Sequence, residues 1–430
     1  MIFGGLVLLF IFSAFFTFLY LPSVVLLCIF CSGVLVDIWL NFSVLKPFMV
    51  ERKLEEILSL GDQNEVEIHL TNTYRFGFSI VLIEMLPSHL QERQFDFNFN
   101  MQAHGTHTIH YRITPRIRGE HSFGDITLLF RTLAMGLVER KLVFPTKVLL
   151  KVYPSLLQMR KVELQTMARI SIDHGIKKIR RLGHSYEFEQ IRAYVQGDDY
   201  RSINWKATGR HQELMLNQYE DERSQAVYFV LDQGRNMKMP FGGLSLLDYA
   251  VNSTLSLSNV ALRKGDRVGM MSFDKTSQNF VKANSGSFVL PEILNRLYKI
   301  DQSDQEPDFN EMYKTLQVKV KQRSLIFLFT NCNTNHSLAR IENILRLLGR
   351  KHLLVVVLFE NTNLSEYAAD EPENLEDVYE QIIAEKFLYE QKMILAKMQS
   401  MGIQAILTQP QNLTIDTLNK YLAFKAAGKI

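Results

Sequence analysis

Cysteine is nearly absent: of three in 430 residues, Cys28 and Cys31 share one apolar run and Cys332 stands alone. The part of the chain beyond that run therefore cannot build an internal disulfide. An excess of one charge is missing too. With 48 basic and 45 acidic residues the net charge is +3, which gives no electrostatic case for nucleic acid as a partner. The sequence has no Gly-x-x-x-x-Gly-Lys-Ser/Thr phosphate loop, no His-Glu-x-x-His zinc helix and no Gly-x-Ser-x-Gly nucleophile elbow. Several common enzyme classes are thereby removed. The most telling absence is local: between Ile2 and Leu45 the single charged side chain is Asp37.

A helix needs about 20 apolar residues to cross a bilayer. Both "IFGGLVLLFIFSAFFTFLY" and "VVLLCIFCSGVLVDIWLNFSVL" are long enough, and Leu21 to Ser23 between them offer a tight reversal. A cleaved signal peptide would want a basic start and a small-residue cleavage site, and neither is present. The reading is a transmembrane helical hairpin over 1–45. Lys46, Arg52 and Lys53 follow the second span, so the positive-inside rule puts both termini in the cytoplasm. Asp37 is either functional or seated at the membrane edge. Cys28 and Cys31 read as small packing residues on one helix face rather than a redox pair, because thiols buried in lipid react slowly.

Over 46–155 the apolar residues alternate with period two, as in Val66, Ile68, Leu70 and again Ile109, Tyr111, Ile113. Short alternating runs separated by Gly, Asn and Pro predict an antiparallel β-sandwich. A polar, basic connector follows, with Lys177, Lys178, Arg180 and Arg181 free to be solvated or to meet anionic lipid. It leads into a dense segment, and the two together cover 156–222. From 223 to 430 compact apolar strands such as "AVYFVLD", "RSLIFLFTN" and "HLLVVVLFE" alternate with helical spacing. That rhythm predicts a mostly parallel, doubly wound α/β sheet. Ligand chemistry on such a sheet sits at the carboxyl ends of its strands, which here are Asp232, Phe273-Asp274 and Thr330-Asn331.

Two stretches are candidates for function. The first is the strand end "FVLDQGRNM". Asp232, Asn236 and Asn331 are the candidate ligands for a hard cation such as Mg²⁺, although Gly234 offers no side chain. The second is "GHSYEFEQIRAYVQGDDYRSINWKATGR", Gly183 to Arg210. Phe188, Ile191 and Tyr194 share a face if it coils helically. Asp198 or Asp199 can cap a helix starting in "YRSINWKA", and Trp205 supplies an apolar anchor. Carboxylates among so many arginines are more often ion-paired than catalytic, so the stretch reads as a structural clasp. A hydrolase using Glu189, Asp198 and Asp199 is the competing reading.

Those residues carry a resemblance. The stretch is similar to the signature of the bacterial domain-of-unknown-function-58 family, Glu-Phe-x-x-x-Arg-x-Tyr-x-x-Gly-Asp-x-x-Arg-x-Ile-x-Trp. Glu187, Phe188, Arg192, Tyr194, Gly197, Asp198, Arg201, Ile203, Trp205 and Arg210 match it position by position. In "RTLAMGLVER", Gly136 and Leu137 are what remain of the family's Asp-Pro-x-Gly-Leu corner. The resemblance implies a von Willebrand factor A-like domain at 223–430 and no established enzymatic activity. It also implies work beside a MoxR-type AAA-plus ATPase, as an adaptor in assembling or maturing a client protein. The expectation is a multi-pass protein of the cell membrane with its soluble domains in the cytoplasm. A metal-dependent adhesion-type module facing outward is the alternative.

Overall fold

The computed structural model describes residues 10–11, 15–44, 47–87, 90, 95–173, 186–194, 200, 203–211, 213–221, 225–275, 278–332, 334–369 and 375–429. The chain divides into two units, Met1–Tyr153 and Pro154–Ile430.

The first unit begins with α1 (Tyr20–Phe42), 23 residues whose most apolar 18-residue stretch has a mean hydropathy of 2.4, long and apolar enough to cross a membrane. The turn predicted at Leu21 to Ser23 lies inside the first turn of this helix instead. Pro22 is tolerated there, because the N–H it lacks would have no helical partner in any case. The other arm of the expected hairpin falls largely on residues 1–9 and 12–14, outside the described residues. Cys28 and Cys31 are exposed on the helix surface rather than packed. Ser23, Asp37 and Asn41 are its buried residues.

Ten strands follow among the described residues: β1 (Phe48–Lys53), β2 (Ile57–Ser59), β3 (Asn64–Asn72), β4 (Phe78–Glu84), β5 (Phe95–Met101), β6 (Thr106–Ile113), β7 (Gly119–Phe123), β8 (Ile126–Thr132), β9 (Glu139–Phe144) and β10 (Val148–Tyr153). They form sheets in the orders β1-β3-β6, β5-β4-β8-β9 and β2-β10-β7. Pairing is antiparallel throughout except between β2 and β10, which run parallel. Val66, Ile68 and Leu70 are fully buried, as the period-two pattern requires. Phe48 meets Phe78 and Phe130 edge-on, with ring centroids 5.8 and 4.9 Å away, so the first two sheets pack face to face.

The second unit opens with α2 (Leu156–Asp173). Its first half is not the solvated connector expected from composition. Val162 is buried, with Leu156 and Met159 packed beside it in the core of this unit. An apolar residue every third or fourth position made that docking face, beneath a majority of polar neighbours. Then come β11 (Tyr186–Ala193), α3 (Trp205–His211) and β12 (Met215–Asp221), with β11 and β12 paired antiparallel.

The main sheet contains β13 (Ala226–Asp232), then a small hairpin of β14 (Pro240–Phe241) and β15 (Leu244–Ser245) leads into α4 (Leu246–Arg263). The chain continues through β16 (Arg267–Phe273), β17 (Gln278–Asn284), α5 (Val289–Tyr298), α6 (Phe309–Lys319), β18 (Leu325–Phe329), α7 (Asn335–Lys351), β19 (Leu353–Phe359), α8 (Thr362–Ala369), α9 (Leu375–Ser400), β20 (Gln404–Thr408) and α10 (Leu413–Ala426). The sheet order is β17-β16-β13-β18-β19-β20, with only β16 and β17 antiparallel.

Alternate residues of the central strands enter two cores. Val227, Phe229 and Leu231 pack with residues of α4, α5 and α10, while Tyr228 and Val230 pack with those of α6, α7 and α9. Strands buried on both faces read as unbroken apolar runs, and that is why "AVYFVL" shows no alternation. Helix α4 is buried almost all round, and a capping box between Ser245 and Asp248 fixes its start.

Candidate functional site

Strand order turns back at β13: the chain winds outward through β16 and β17, then returns to β18 on the other side of β13. Loops leaving the carboxyl ends of two such neighbouring strands diverge and leave a crevice between them. The loop ends at this point are Asp232 on β13 and Thr330-Asn331 after β18. Both Asp232 oxygens are engaged. Oδ1 accepts from the Gly234 N–H at 2.7 Å and Oδ2 from the Thr330 hydroxyl at 2.7 Å. Asn236 Nδ2 donates to the Asn331 carbonyl at 3.1 Å. The fold thus brings Asn331 to Asp232 and Asn236, from which it is separated by 95 positions or more in sequence.

Burial pushes the Asp232 carboxyl up to about 6, against the lowering pull of its bonds from Thr330 and Gly234. Burial, and then the Asp232 charge, push the nearby Cys332 thiol up to about 12.

This arrangement does not fit a cation. The position two residues after Asp232 is closed to any ligand side chain, because a Cβ on Gly234 would lie 2.9 Å from Pro307 Cγ and closer still to its Cδ. Asp232 is the sole carboxylate among the three gathered residues, and neighbouring donors already use both its oxygens. A hard divalent ion wants several free oxygens. Among the described residues no group of three or more His, Cys, Asp or Glu side chains is placed to hold a metal.

Beside this cluster lies a cleft of about 220 Å³, lined by Phe241, Leu364, Phe359 and Phe387, with Asn331, Glu360, Asn361 and Gln391 as polar members. Asn331 is buried, and among the described residues its Oδ1 accepts no hydrogen bond. Pockets for drug-sized ligands run to about 300–1,000 Å³, so this cleft suits something smaller, the size of one or two side chains. The sequence pointed to Asn331 as a strand end. It gave no signal for Phe387 on α9 or Leu364 on α8, since helical aromatics and leucines read as core.

The second candidate stretch differs from its sequence reading. Residues Tyr186 to Ala193 form strand β11 rather than a helix, with an irregularity between Phe188 and Gln190. The alternation Tyr186, Phe188 with Glu187, Glu189 between is the period-two signal that outweighed helical spacing. Tyr194 N–H donates to the Leu214 carbonyl at 2.7 Å, and Ile203 bridges to Leu216. Helix α3 starts only at Trp205. Asn204, whose side chain accepts from Ala207 N–H at 3.0 Å, caps it in place of Asp198 or Asp199. Trp205 is 71% exposed rather than buried as an anchor, and Arg210 is exposed as well. Gly197, Asp198, Asp199 and Arg201 lie outside the described residues, as do the side chains of Glu187, Phe188, Glu189 and Arg192.

Residues 190–376 match the profile of a family described as "Protein of unknown function DUF58". That stretch holds most of the signature and the first five strands of the main sheet. The chain is also 24% identical over 251 residues to the uncharacterized protein YeaD of Bacillus subtilis (strain 168), a match covering 55% of this chain and 58% of YeaD. Among solved structures, the CARDB domain of the PF1109 protein from Pyrococcus furiosus, in complex with di-metal ions, aligns at TM-score 0.19 and 15% identity. That alignment covers 24% of this chain and 86% of the domain. A structural-genomics target, SoR45, aligns at TM-score 0.20 and 8% identity, covering 25% of this chain and 87% of its own.

Proposed function

We propose that this chain is a membrane-anchored, non-enzymatic adaptor. Its parallel-sheet unit binds another protein at the carboxyl rim, and that partner is a MoxR-type AAA-plus ATPase acting on a client protein. The observation that supports this most is the cleft over the carboxyl ends of β18, β19 and β20, with Asn331 in its wall. It is too small for a bulky ligand and well shaped for an anchoring side chain of a partner. Strand order β17-β16-β13-β18-β19-β20, with one antiparallel edge, suits the von Willebrand factor A-like domain that the family resemblance implies. No metal gates the contact in this reading, because Pro307 occupies the space a ligand at position 234 would need.

Helix α1 is one span of the anchor, and the apolar residues before it form a second, leaving both soluble units in the cytoplasm. Arg52 adds little to this orientation once folded, since it is buried in the first unit. A reporter fused at Ile430 is expected to register as cytoplasmic; periplasmic activity of that fusion would overturn the topology.

The partner reading is tested by copurification. The full chain, solubilised from its own membranes with a tagged MoxR-type ATPase held in a nucleotide-trapped state, is expected to copurify with it. Leu364→Trp, which fills the cleft, is expected to cut recovery at least several-fold at an unchanged melting temperature. Equal recovery of the variant would remove the cleft from the contact, and no recovery of the unmodified chain would count against the partner itself.

A further inference from the structure

Asp37 is an acid in the middle of an apolar helix, and the first unit explains how it is held. Its carboxylate is fully buried and accepts the Leu137 and Val138 N–H groups, each at 2.8 Å, together with the Thr132 hydroxyl. Thr132 ends β8 and the two N–H donors belong to the β8–β9 loop, whose tips Leu133, Met135 and Leu137 are exposed by 39% to 49%. In the adjacent loop after β3, Phe76 is 43% exposed. That loop also reaches the helix, because the Tyr74 hydroxyl donates to the Asn41 carbonyl.

How far up the helix the β8–β9 loop climbs is the decisive point. Leu137 Cδ1 sits 3.7 Å from where a Cβ on Gly33 would be. Gly33 is nine residues before the helix end, a distance of about 13 Å along the axis. Helix α1 has 23 residues, only slightly more than the roughly 20 a bilayer core requires. If this helix crosses a membrane, the tip of the loop lies below the membrane surface.

The loop is built for that depth. Backbone at membrane level must have its polar groups satisfied from within the protein. Leu133 N–H donates to the Gly77 carbonyl at 3.0 Å, Gly136 N–H to Thr132 Oγ1 at 3.1 Å, and the next two N–H groups to Asp37. The Val138 carbonyl accepts from Asn41 Nδ2 at 3.2 Å. Around this apolar end stand Arg75, Arg131 and Arg140, the last donating to the Asn41 carbonyl at 2.6 Å and lying over the Phe42 ring. Apolar tips with arginines behind them match the layering of acyl chains and headgroups.

We infer that the helix-proximal end of the first unit is itself a membrane-inserting surface. The β8–β9 loop enters the bilayer beside α1, and Asp37 serves as the internal acceptor that lets its backbone do so. This rests on the proposed membrane anchoring of α1, and the experiment separates the two.

Three chains, each in a Cys28→Ser, Cys31→Ser background and with one added cysteine, carry an environment-sensitive fluorophore at Met135→Cys, Ile29→Cys or Gln63→Cys in lipid nanodiscs. Cys332 stays unlabelled because its thiol is buried and its pKa is pushed up to about 12. Gln63 is the control: it precedes β3, whose nine residues place it about 30 Å from the helix-proximal end. The expected result is blue-shifted emission quenched by spin-labelled lipid at residues 29 and 135, with neither effect at 63. Quenching at 29 but not at 135 would overturn the inference and leave the helix in the membrane. No quenching at 29 would sink the anchoring, and the inference with it. Equal quenching at all three sites would mean non-specific adsorption and would likewise overturn it.

Discussion

Replacing Arg52 by Ala is expected to destabilise the first unit by about 3–5 kcal/mol, the usual cost of removing one member of a buried ion pair. Arg52 Nε stands 2.9 Å from Glu84 Oε1, and the two side chains are 1% and 0% exposed. The guanidinium also donates to the Thr146 and Gly124 carbonyls, each at 2.9 Å, and the Tyr111 hydroxyl donates to Glu84. Arg52 lies on β1 and Tyr111 on β6 of one sheet, Glu84 on β4 of the other, so the network stitches the two sheets together. Without the arginine, Glu84 remains as a carboxylate whose burial already raises its pKa. Hydrogen exchange of β4 amides at fixed pH reads the loss locally. Protection within about 1 kcal/mol of the unmodified protein would refute the role given to the pair. The double replacement Arg52→Met with Glu84→Leu is expected to recover most of the stability, since the burial cost of both charges disappears together.

The second large effect is a pH dependence at Asp232. Its folded pKa of about 6 lies above the ordinary value of 3.8. A raised acid favours folding only while it is protonated. Its contribution is complete below 3.8 and is lost as pH rises through about 6. At pH 8 the ionised, buried carboxylate therefore costs about 3 kcal/mol relative to the acid limit.

Asp232→Asn keeps the shape and one acceptor without the charge, so the variant is expected to be the more stable protein at pH 8. The gap should close between pH 6 and pH 4. His352 titrates in the same window with the opposite sign: burial lowers its pKa to about 4, and stability present above 6.5 is lost on acidification. It does so in both proteins and cancels in the difference, which is why the comparison is made by urea unfolding of variant against unmodified chain. A gap that is constant with pH, or a variant less stable at pH 8, would show that Asp232 is not held as an unfavourable anion. A carboxylate retained at such a cost makes Asp232 a candidate functional position.

Much of the fold was legible in the sequence because local periodicity fixes which faces are apolar. The unbroken runs at β13, β18 and β19 could only be strands covered on both sides, and the alternation at β3 and β6 only strands covered on one. The apolar stretch from Tyr20 to Phe42 declared itself by composition alone. Local pattern failed where two periods competed, as in β11. It failed again where a proline looked like a turn but fitted a first helical turn, as at Pro22.

Tertiary structure decided everything that depends on distant residues meeting. Arg52 looked like a flanking charge of a membrane span, yet it is buried against Glu84, 32 positions on. Asp37 looked ambiguous until the β8–β9 loop, about a hundred residues later, brought two N–H groups to it. Gly234 was an incomplete metal ligand in the sequence, and only the approach of Pro307 closed the position. The cleft at the carboxyl rim draws its walls from helices α8 and α9, because both lie in the connection from β19 to β20 and fold back over those strand ends. Periodicity is set by neighbours three or four residues away, whereas burial of a charge and the walls of a cleft are set by chain topology. No local pattern encodes that.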